Sequence, residues 1–177
     1  MRGAGFAAAD AQRLIPRLRR YALALTGNRD AADDLTQDTL ERAWRKRALW
    51  QPGTDLRAWL FSVMHNVWVN GVRAARPAVS LDDDAAAASA ALAAAAPQSA
   101  EGGIVLAELQ QALLRLPEEQ RAVLLLIGLE QLSYAEAAAV LAVPIGTVMS
   151  RLARGREQLR RLLAQEPHAP GPLRRVK

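Results

Sequence analysis

The chain has 177 residues, with 23 Lys and Arg against 18 Asp and Glu, a formal charge of +5 and 51% hydrophobic residues; this suits one ordinary domain or two small ones with real cores. With no cysteine and only two histidines, His65 and His168, it has neither a disulfide framework nor the ligands of a cysteine- or histidine-based metal site. The N-terminus lacks the apolar core of a signal peptide, and the longest hydrophobic block, Ala122 to Leu129, is far too short to span a bilayer; the sequence reads as a soluble, cytoplasmic protein with no membrane insertion.

Leu14, Leu18, Tyr21, Ala22 and Leu25 recur at helical spacing and predict a first helix, ended by Gly27-Asn28, with Pro16 in its first turn or at a kink. A second helix is expected from about Asp30 to Arg47, with Asp30, Asp33 and Asp34 in its first turns, where the helix dipole favours anions. Its apolar stripe is Ala32, Leu35, Thr39, Leu40, Ala43 and Trp44; its polar face shows Asp34, Gln37, Asp38 and Glu41, then Arg45, Lys46 and Arg47. Gln51-Pro52-Gly53-Thr54 is a loop by its chemistry. After it, Thr54 or Asp55 caps a third helix with the stripe Leu56, Leu60, Val63 and Val67. Beside that stripe Trp59, Ser62, Asn66 and Arg73 share a flank, with Asn70 near them and Arg76 extending the basic edge. Next to a loop holding Trp50, this flank suits unstacked bases: aromatics stack, amides read base edges and arginines hold phosphates. The same spacing also suits tryptophans buried in a core.

Residues 78–103 carry no basic side chain and the acidic Asp82, Asp83, Asp84 and Glu101, and from Ala85 to Ala96 all but one Ser and one Leu are alanine. With no large apolar face to bury, residues 78–104 read as an acidic, alanine-rich flexible linker. It follows residues 1–77, with 13 basic and 7 acidic side chains, and precedes a second basic stretch, residues 144–177, with 8 basic and 2 acidic. Two positive lobes around an acidic middle fit a chain that touches a polyanion at two places.

In the second lobe, Ile104 to Arg115 reads as one helix, and Leu116-Pro117-Glu118-Glu119 as the start of another with proline at its first position. That helix, expected to reach about Glu130, is strongly apolar at Val123, Leu124, Leu126 and Ile127 and should form the core. Ser133-Tyr134-Ala135-Glu136 fits a capping box. A short helix from Ser133 to Leu141 turns at Ala142-Val143, and a last helix begins at Pro144. This last helix keeps Val148, Leu152, Gly155, Leu159 and Leu162 on one side and Thr147, Ser150, Arg154 and Arg161 on the other, with Arg151 and Arg156 at the edges. A short capped helix, a tight turn and a basic amphipathic helix describe a helix-turn-helix whose second helix enters the major groove. The bland alternative is a small bundle with a solvated basic face. Pro167 to Lys177 reads as a disordered basic tail.

These segments resemble a known family. Asp33-Asp34-Leu35-Thr36-Gln37-Asp38-Thr39-Leu40-Glu41-Arg42-Ala43-Trp44, Trp59-Leu60 and His65-Asn66 look like region 2 of bacterial sigma factors. Leu116-Pro117-Glu118-Glu119-Gln120-Arg121, Leu132-Ser133-Tyr134-Ala135-Glu136 and Val143-Pro144-Ile145-Gly146-Thr147-Val148-Met149-Ser150-Arg151-Leu152 look like region 4. The resemblance is to the extracytoplasmic-function (ECF) group, which keeps only these two regions. It implies an all-α protein: a region 2 bundle (residues 1–77) and a region 4 helix-turn-helix (105–166) joined by the linker. It further implies a dissociable subunit of RNA polymerase that recognises −10 and −35 promoter elements and promotes opening. By the same resemblance, Asp34, Gln37, Asp38 and Glu41 dock on the clamp coiled coil of the largest polymerase subunit, and region 4 meets the flap of the second-largest. Trp50, Gln51, Gly53, Thr54 and Asp55 match a loop that captures a base flipped from the −10 element, with Asn66 closing the pocket and Asn70, Arg73 and Arg76 beside it. Thr147, Ser150, Arg151, Arg154 and Arg156 fall at −35 positions. Met149 stands where the family usually has a basic residue, Ala153 where a larger one is common, and Asn70-Gly71 where an acidic one is frequent. An anti-sigma factor is a further implied partner.

No phosphate loop, nucleophile–base set or metal cluster is apparent, so the sequence predicts a protein without catalytic residues or cofactors, not an enzyme. Two alternatives are a sigma-like decoy that sequesters an anti-sigma factor without reading DNA, and a dimeric helix-turn-helix repressor, which leaves the first lobe unexplained.

Overall fold

The computed structural model describes residues 5–75 and 102–165; Arg76, linker residues 78–101 and the tail 167–177 lie outside the described residues, as does the side chain of Arg73. The described residues are helical, without a strand. The N-terminal lobe holds α1 (Ala8–Thr26), α2 (Arg29–Arg45), a 3-10 turn (Arg47–Leu49) and α3 (Leu56–Ala75). The C-terminal lobe holds α4 (Gly102–Leu114), α5 (Glu118–Leu124), a π-turn (Leu125–Leu129), α6 (Tyr134–Leu141) and α7 (Ile145–Gln165).

Local chemistry sets the boundaries in the N-terminal lobe. Gly27 closes α1 in a left-handed conformation (φ 70°), where glycine has no steric penalty. Asn28 then starts α2, its Oδ1 accepting from the Ala31 N–H at 3.1 Å. Of the two placements expected for Pro16, a first turn or a kink, the first is ruled out, because α1 begins at Ala8 and runs through Pro16. The earlier start follows from Phe6, buried to 5% exposure, which anchors the chain ahead of the helix. Phe6 sits among three tryptophans, with ring centroids 6.2 Å from Trp44, 6.2 Å from Trp50 and 5.6 Å from Trp59. These tilted and edge-on arrangements are the favourable ones for aromatic rings. Leu18, Tyr21, Ala22 and Leu25 of α1, Ala32, Leu35, Thr39 and Ala43 of α2, and Leu60 and Val67 of α3 fill the core.

In the C-terminal lobe Pro117 is extended (φ −51°, ψ 138°) and caps α5, one residue before the helical position expected for it. The helix expected to continue to Glu130 is α-helical only to Leu124; Leu125–Leu129 widen into the π-turn. There the Glu130 N–H donates to the Leu125 carbonyl and the Leu132 N–H to the Leu126 carbonyl, both at 3.0 Å. The capping box forms in full: the Glu136 N–H donates to Ser133 Oγ at 3.2 Å, and the Ser133 N–H to Glu136 Oε2 at 2.7 Å. Ala142, left-handed at φ 53°, makes the tight turn between α6 and α7. Val148 and Leu152 are buried, and Gly155 lets α7 approach α5, since a Cβ there would lie 3.0 Å from Leu124 Cδ1.

The lobes are docked on each other. α1 packs on α4, α5 and the π-turn, while α3 packs on α6. Phe61 and Met64, which the expected stripe leaves out, are buried as well, Phe61 lying edge-on to Tyr21 at 5.0 Å. The apolar cores of the two lobes form one continuous cluster.

Candidate polymerase and nucleic-acid interfaces

Spacing of three and four residues puts Asp34, Gln37, Asp38 and Glu41 on one face of α2, and all four are exposed. Gln37 Nε2 approaches Glu41 Oε1 at 3.5 Å, and Arg45 Nη2 donates to Glu41 Oε2 at 3.0 Å. Arg19 holds neighbouring Asp33 with a two-pronged contact at 2.7 and 2.8 Å. Beside this acidic face runs an apolar groove of about 400 Å³, lined by Phe6, Ala11, Ile15, Leu40 and Trp44 and reaching Glu41. Trp44, placed in the buried stripe by its spacing, is instead 46% exposed, with the Arg47 guanidinium 4.7 Å above its ring.

The loop before α3 has the residue pattern of a type II turn, Pro52 followed by Gly53 at φ 89°. Its ends are closed by the Thr54 N–H and Oγ, both donating to the Gln51 carbonyl, at 3.1 and 2.7 Å. Asp55 caps α3 by accepting from the Arg57 N–H at 2.8 Å. Gln51, Gly53, Thr54 and Asp55 are exposed, and so are Asn66 and Asn70 along α3. Trp59 and Ser62 of the same flank are half-buried, and Ser62 Oγ donates to the Trp59 carbonyl at 2.7 Å. Trp50 is half-buried against Phe6, with its indole nitrogen sealed from solvent and unpaired. The ring that the sequence offers as a stacking platform is thus committed to the aromatic cluster, and the amides of Asn66 and Asn70 are the open part of the flank.

On α7 the exposed face of the first turns carries Ile145, Met149, Ala153, Ser150 and Arg154, with Thr147 half-buried at its edge. Arg154 folds over Ser150, its Nε donating to the Ser150 carbonyl at 3.3 Å and its Nη2 to Ser150 Oγ at 3.4 Å. Arg156 is exposed, whereas Arg161 pairs with Glu157 at 3.1 Å. Arg151 is engaged, 2.6 Å from Glu119, with only 22% of its side chain exposed. It faces His65 of α3, whose pKa falls from 6.5 to about 4 through burial and then the Arg151 charge, against an upward pull from Glu119.

Two residues stand out in the structure that periodicity did not single out. Phe6 precedes the first helical repeat, so no spacing marks it. Glu130 closes an apolar run, where a carboxylate reads as the end of a helix; it is completely buried between the lobes. Its only sequence signal is a single charge among apolar neighbours.

Comparisons with known proteins agree with this architecture. The family described as the Sigma2 domain of PhyR matches residues 12–65, and the sigma-70 region 4 family matches residues 106–159. The chain is 39% identical over 149 residues to the ECF RNA polymerase sigma factor EcfG of Rhodopseudomonas palustris, covering 84% of this chain and 80% of that one. It is also 39% identical over 153 residues to the ECF sigma factor SigE of Mycolicibacterium smegmatis, covering 84% of this chain and 58% of the relative. Among solved structures, the sigma factor RpoE of Bartonella quintana in complex with the anti-sigma factor NepR superimposes with a TM-score of 0.71 at 31% identity, covering 91% of this chain and 100% of that one. With two family matches in this order, and identity to EcfG across both lobes, the chain belongs to the ECF RNA polymerase sigma factors.

Proposed function

We propose that the N-terminal lobe, residues 1–77, docks on core polymerase through Asp34, Gln37, Asp38 and Glu41 and holds a flipped −10 base between the loop Gln51 to Asp55 and the Asn66 amide. Residues 105–166 then read the −35 element through the exposed start of α7, with Ser150 and Arg154 at base edges and Arg156 on phosphate. The observation that carries this reading is the set of three separate exposed surfaces, polar on α2 and on α3 with its loop, mixed apolar and basic on α7, each on a helix fixed by a packed core. Opening a promoter needs no acid, base or metal. It needs a site that holds an extruded base well enough to offset a few kcal/mol of lost stacking, and positively charged surface to hold the backbone. The protein itself carries no catalysis in this scheme; polymerase does. Two elements bound by one chain raise each other's effective concentration, so neither lobe has to bind tightly alone. By likeness to the RpoE–NepR complex, an anti-sigma protein is the regulatory partner.

A second reading has a specific observation behind it: the N-terminal lobe matches the Sigma2 domain of PhyR, a protein described as an anti-anti-sigma factor in its complex with NepR. A decoy of that kind binds an anti-sigma factor and opens no DNA. The two readings separate in one experiment, permanganate probing of a cognate promoter with core polymerase and this protein. An initiating factor produces reactive thymines around the −10 element, and Asn66→Ala weakens that signal about tenfold with core binding retained. Unreactive DNA without core binding favours the decoy, unreactive DNA despite stable core binding means an inactive or inhibited initiating factor, and normal reactivity in Asn66→Ala removes Asn66 from the pocket.

A further inference from the structure

The junction between the lobes contains a buried carboxylate that lies outside the three surfaces above and meets one of them only where Arg57 pairs with Asp55 at 3.2 Å. Glu130 follows the π-turn and is completely buried. Its Oε2 accepts from Arg17 Nε at 2.9 Å and its Oε1 from Arg20 Nη2 at 3.1 Å. Its main-chain oxygen accepts from Arg17 Nη2 at 3.3 Å and Arg57 Nη1 at 3.1 Å. All three arginines come from the opposite lobe, and Arg57 also lies 3.9 Å from Glu136 at the start of α6. Two uncommon backbone states present Glu130 to them, the π-turn before it and Gln131 at φ 55° after it. Alongside, Tyr21 from one lobe and Arg121 from the other are buried, and neither the Tyr21 hydroxyl nor Arg121 Nε has a hydrogen-bond partner. Burial, and the nearby Glu130 charge, push the Tyr21 hydroxyl's pKa up, while burial lowers that of Arg121.

Such a junction differs in kind from a core. An ion pair taken from water gives back in attraction roughly what it costs in desolvation, so its halves part more readily than packed apolar faces of the same size. Geometry also requires them to part. α3 packs on α6, and α6 packs on α7, so the −10 flank and the −35 helix belong to one closed body. The two promoter elements, numbered 25 base pairs apart, are about 85 Å apart at roughly 3.4 Å per base pair. Residues 76 to 101, if extended, reach at most about 90 Å, so the separated lobes can contact both elements and the docked lobes cannot.

We propose that Arg17 and Arg20, which hold the Glu130 carboxylate, and Arg57, which holds its main-chain oxygen, form a latch on Glu130 of the same chain, and that this latch keeps the lobes closed until core polymerase separates them. The consequence for promoter contact rests on the roles proposed above for α3 and α7; the latch does not.

The chain lacks cysteine, so Ala31→Cys and Ala164→Cys, at exposed positions on opposite lobes, carry a donor and an acceptor dye without competing labels. The free full-length protein should show high energy transfer that falls when core polymerase is added. Glu130→Gln, and separately Arg17→Ala with Arg20→Ala, should lower transfer in the free protein while circular dichroism keeps its helical signal. Apparent affinity for core should rise about tenfold if the open fraction rises tenfold, because the two scale together. Low transfer in the free wild type, or wild-type transfer in both folded variants, overturns the latch. Should Glu130→Gln lose helicity, the arginine pair decides, since those side chains are 36% and 54% exposed and their removal leaves no cavity in a core. High wild-type transfer that falls in the variants supports the latch even where run-off transcription is silent, and that silence counts against the promoter reading alone.

Discussion

The core of the C-terminal lobe and the junction between the lobes are built from opposite materials. Val123, Leu126, Val148 and Leu152 bury apolar surface against one another within a short stretch of chain. The junction, though it shares in the continuous apolar cluster, is organised around one buried carboxylate and arginines from far away in sequence. Apolar burial has no charge to screen or titrate, whereas ion pairs respond to ionic strength and pH. With the latch proposed above, the difference teaches that the lobes can keep their shape while their arrangement changes, as a factor that must reach two DNA elements requires.

The largest effect should come from the core. Leu126→Ala, at a position with no exposure, should cost about 2–5 kcal/mol in denaturant unfolding, and a cost under about 1 kcal/mol would mean that the C-terminal lobe is not held as described. Next comes the face of α7 proposed to read DNA: Arg154→Ala should remove about 1–3 kcal/mol of −35 readout, seen as a roughly tenfold or greater loss of −35-dependent run-off transcript at unchanged core affinity. Unchanged dependence on the −35 sequence would take Arg154 off the base edges. Ser133→Ala removes the cap of α6 and should cost about 1 kcal/mol in the same unfolding assay, with no change in the distance between the lobes.

The smallest effect sharpens the contrast through pH. His65 is held neutral, its pKa lowered from the ordinary 6.5 to about 4 by burial and then by the Arg151 charge from the opposite lobe. The charged groups facing it are Arg151 on α7 and Glu119 on α5. Because the opened state takes up the proton more readily, closure is fully supported above pH 6.5 and weakens as pH falls toward 4, by up to about tenfold per pH unit for one proton. Energy transfer between the labelled lobes followed from pH 7.5 to 5 checks this, and His65→Gln should flatten the curve; a wild-type signal constant over that range would place His65 away from the junction.

Much of this was legible in the sequence because it is written in short-range patterns. The capping box at Ser133, the turn at Ala142 and the α7 stripe all depend on neighbours within a few residues, and the helix-turn-helix forms as its spacing predicts. Asp34, Gln37, Asp38 and Glu41 likewise share a face because helical spacing dictates it. What the sequence left hidden is long-range. Trp50 and Arg151 have the chemistry of nucleic-acid contacts, yet one is drawn into the cluster around Phe6 and the other into a pair with Glu119. Phe61 and Met64 are buried because the apolar face of α3 is wider than the expected stripe, with Phe61 packing on Tyr21 of its own lobe. Glu130 is the clearest case: a lone carboxylate at the end of an apolar run acquires its role only when three arginines arrive from the opposite lobe.

The central claim, that this chain directs polymerase to promoters with two separated elements, is tested most directly by run-off transcription from a pool of genomic fragments with core polymerase, in the presence and absence of the protein. Discrete new transcripts whose templates share a −35 and a −10 motif at constant spacing are the predicted result. An unchanged transcript pattern with demonstrated binding to core would contradict it.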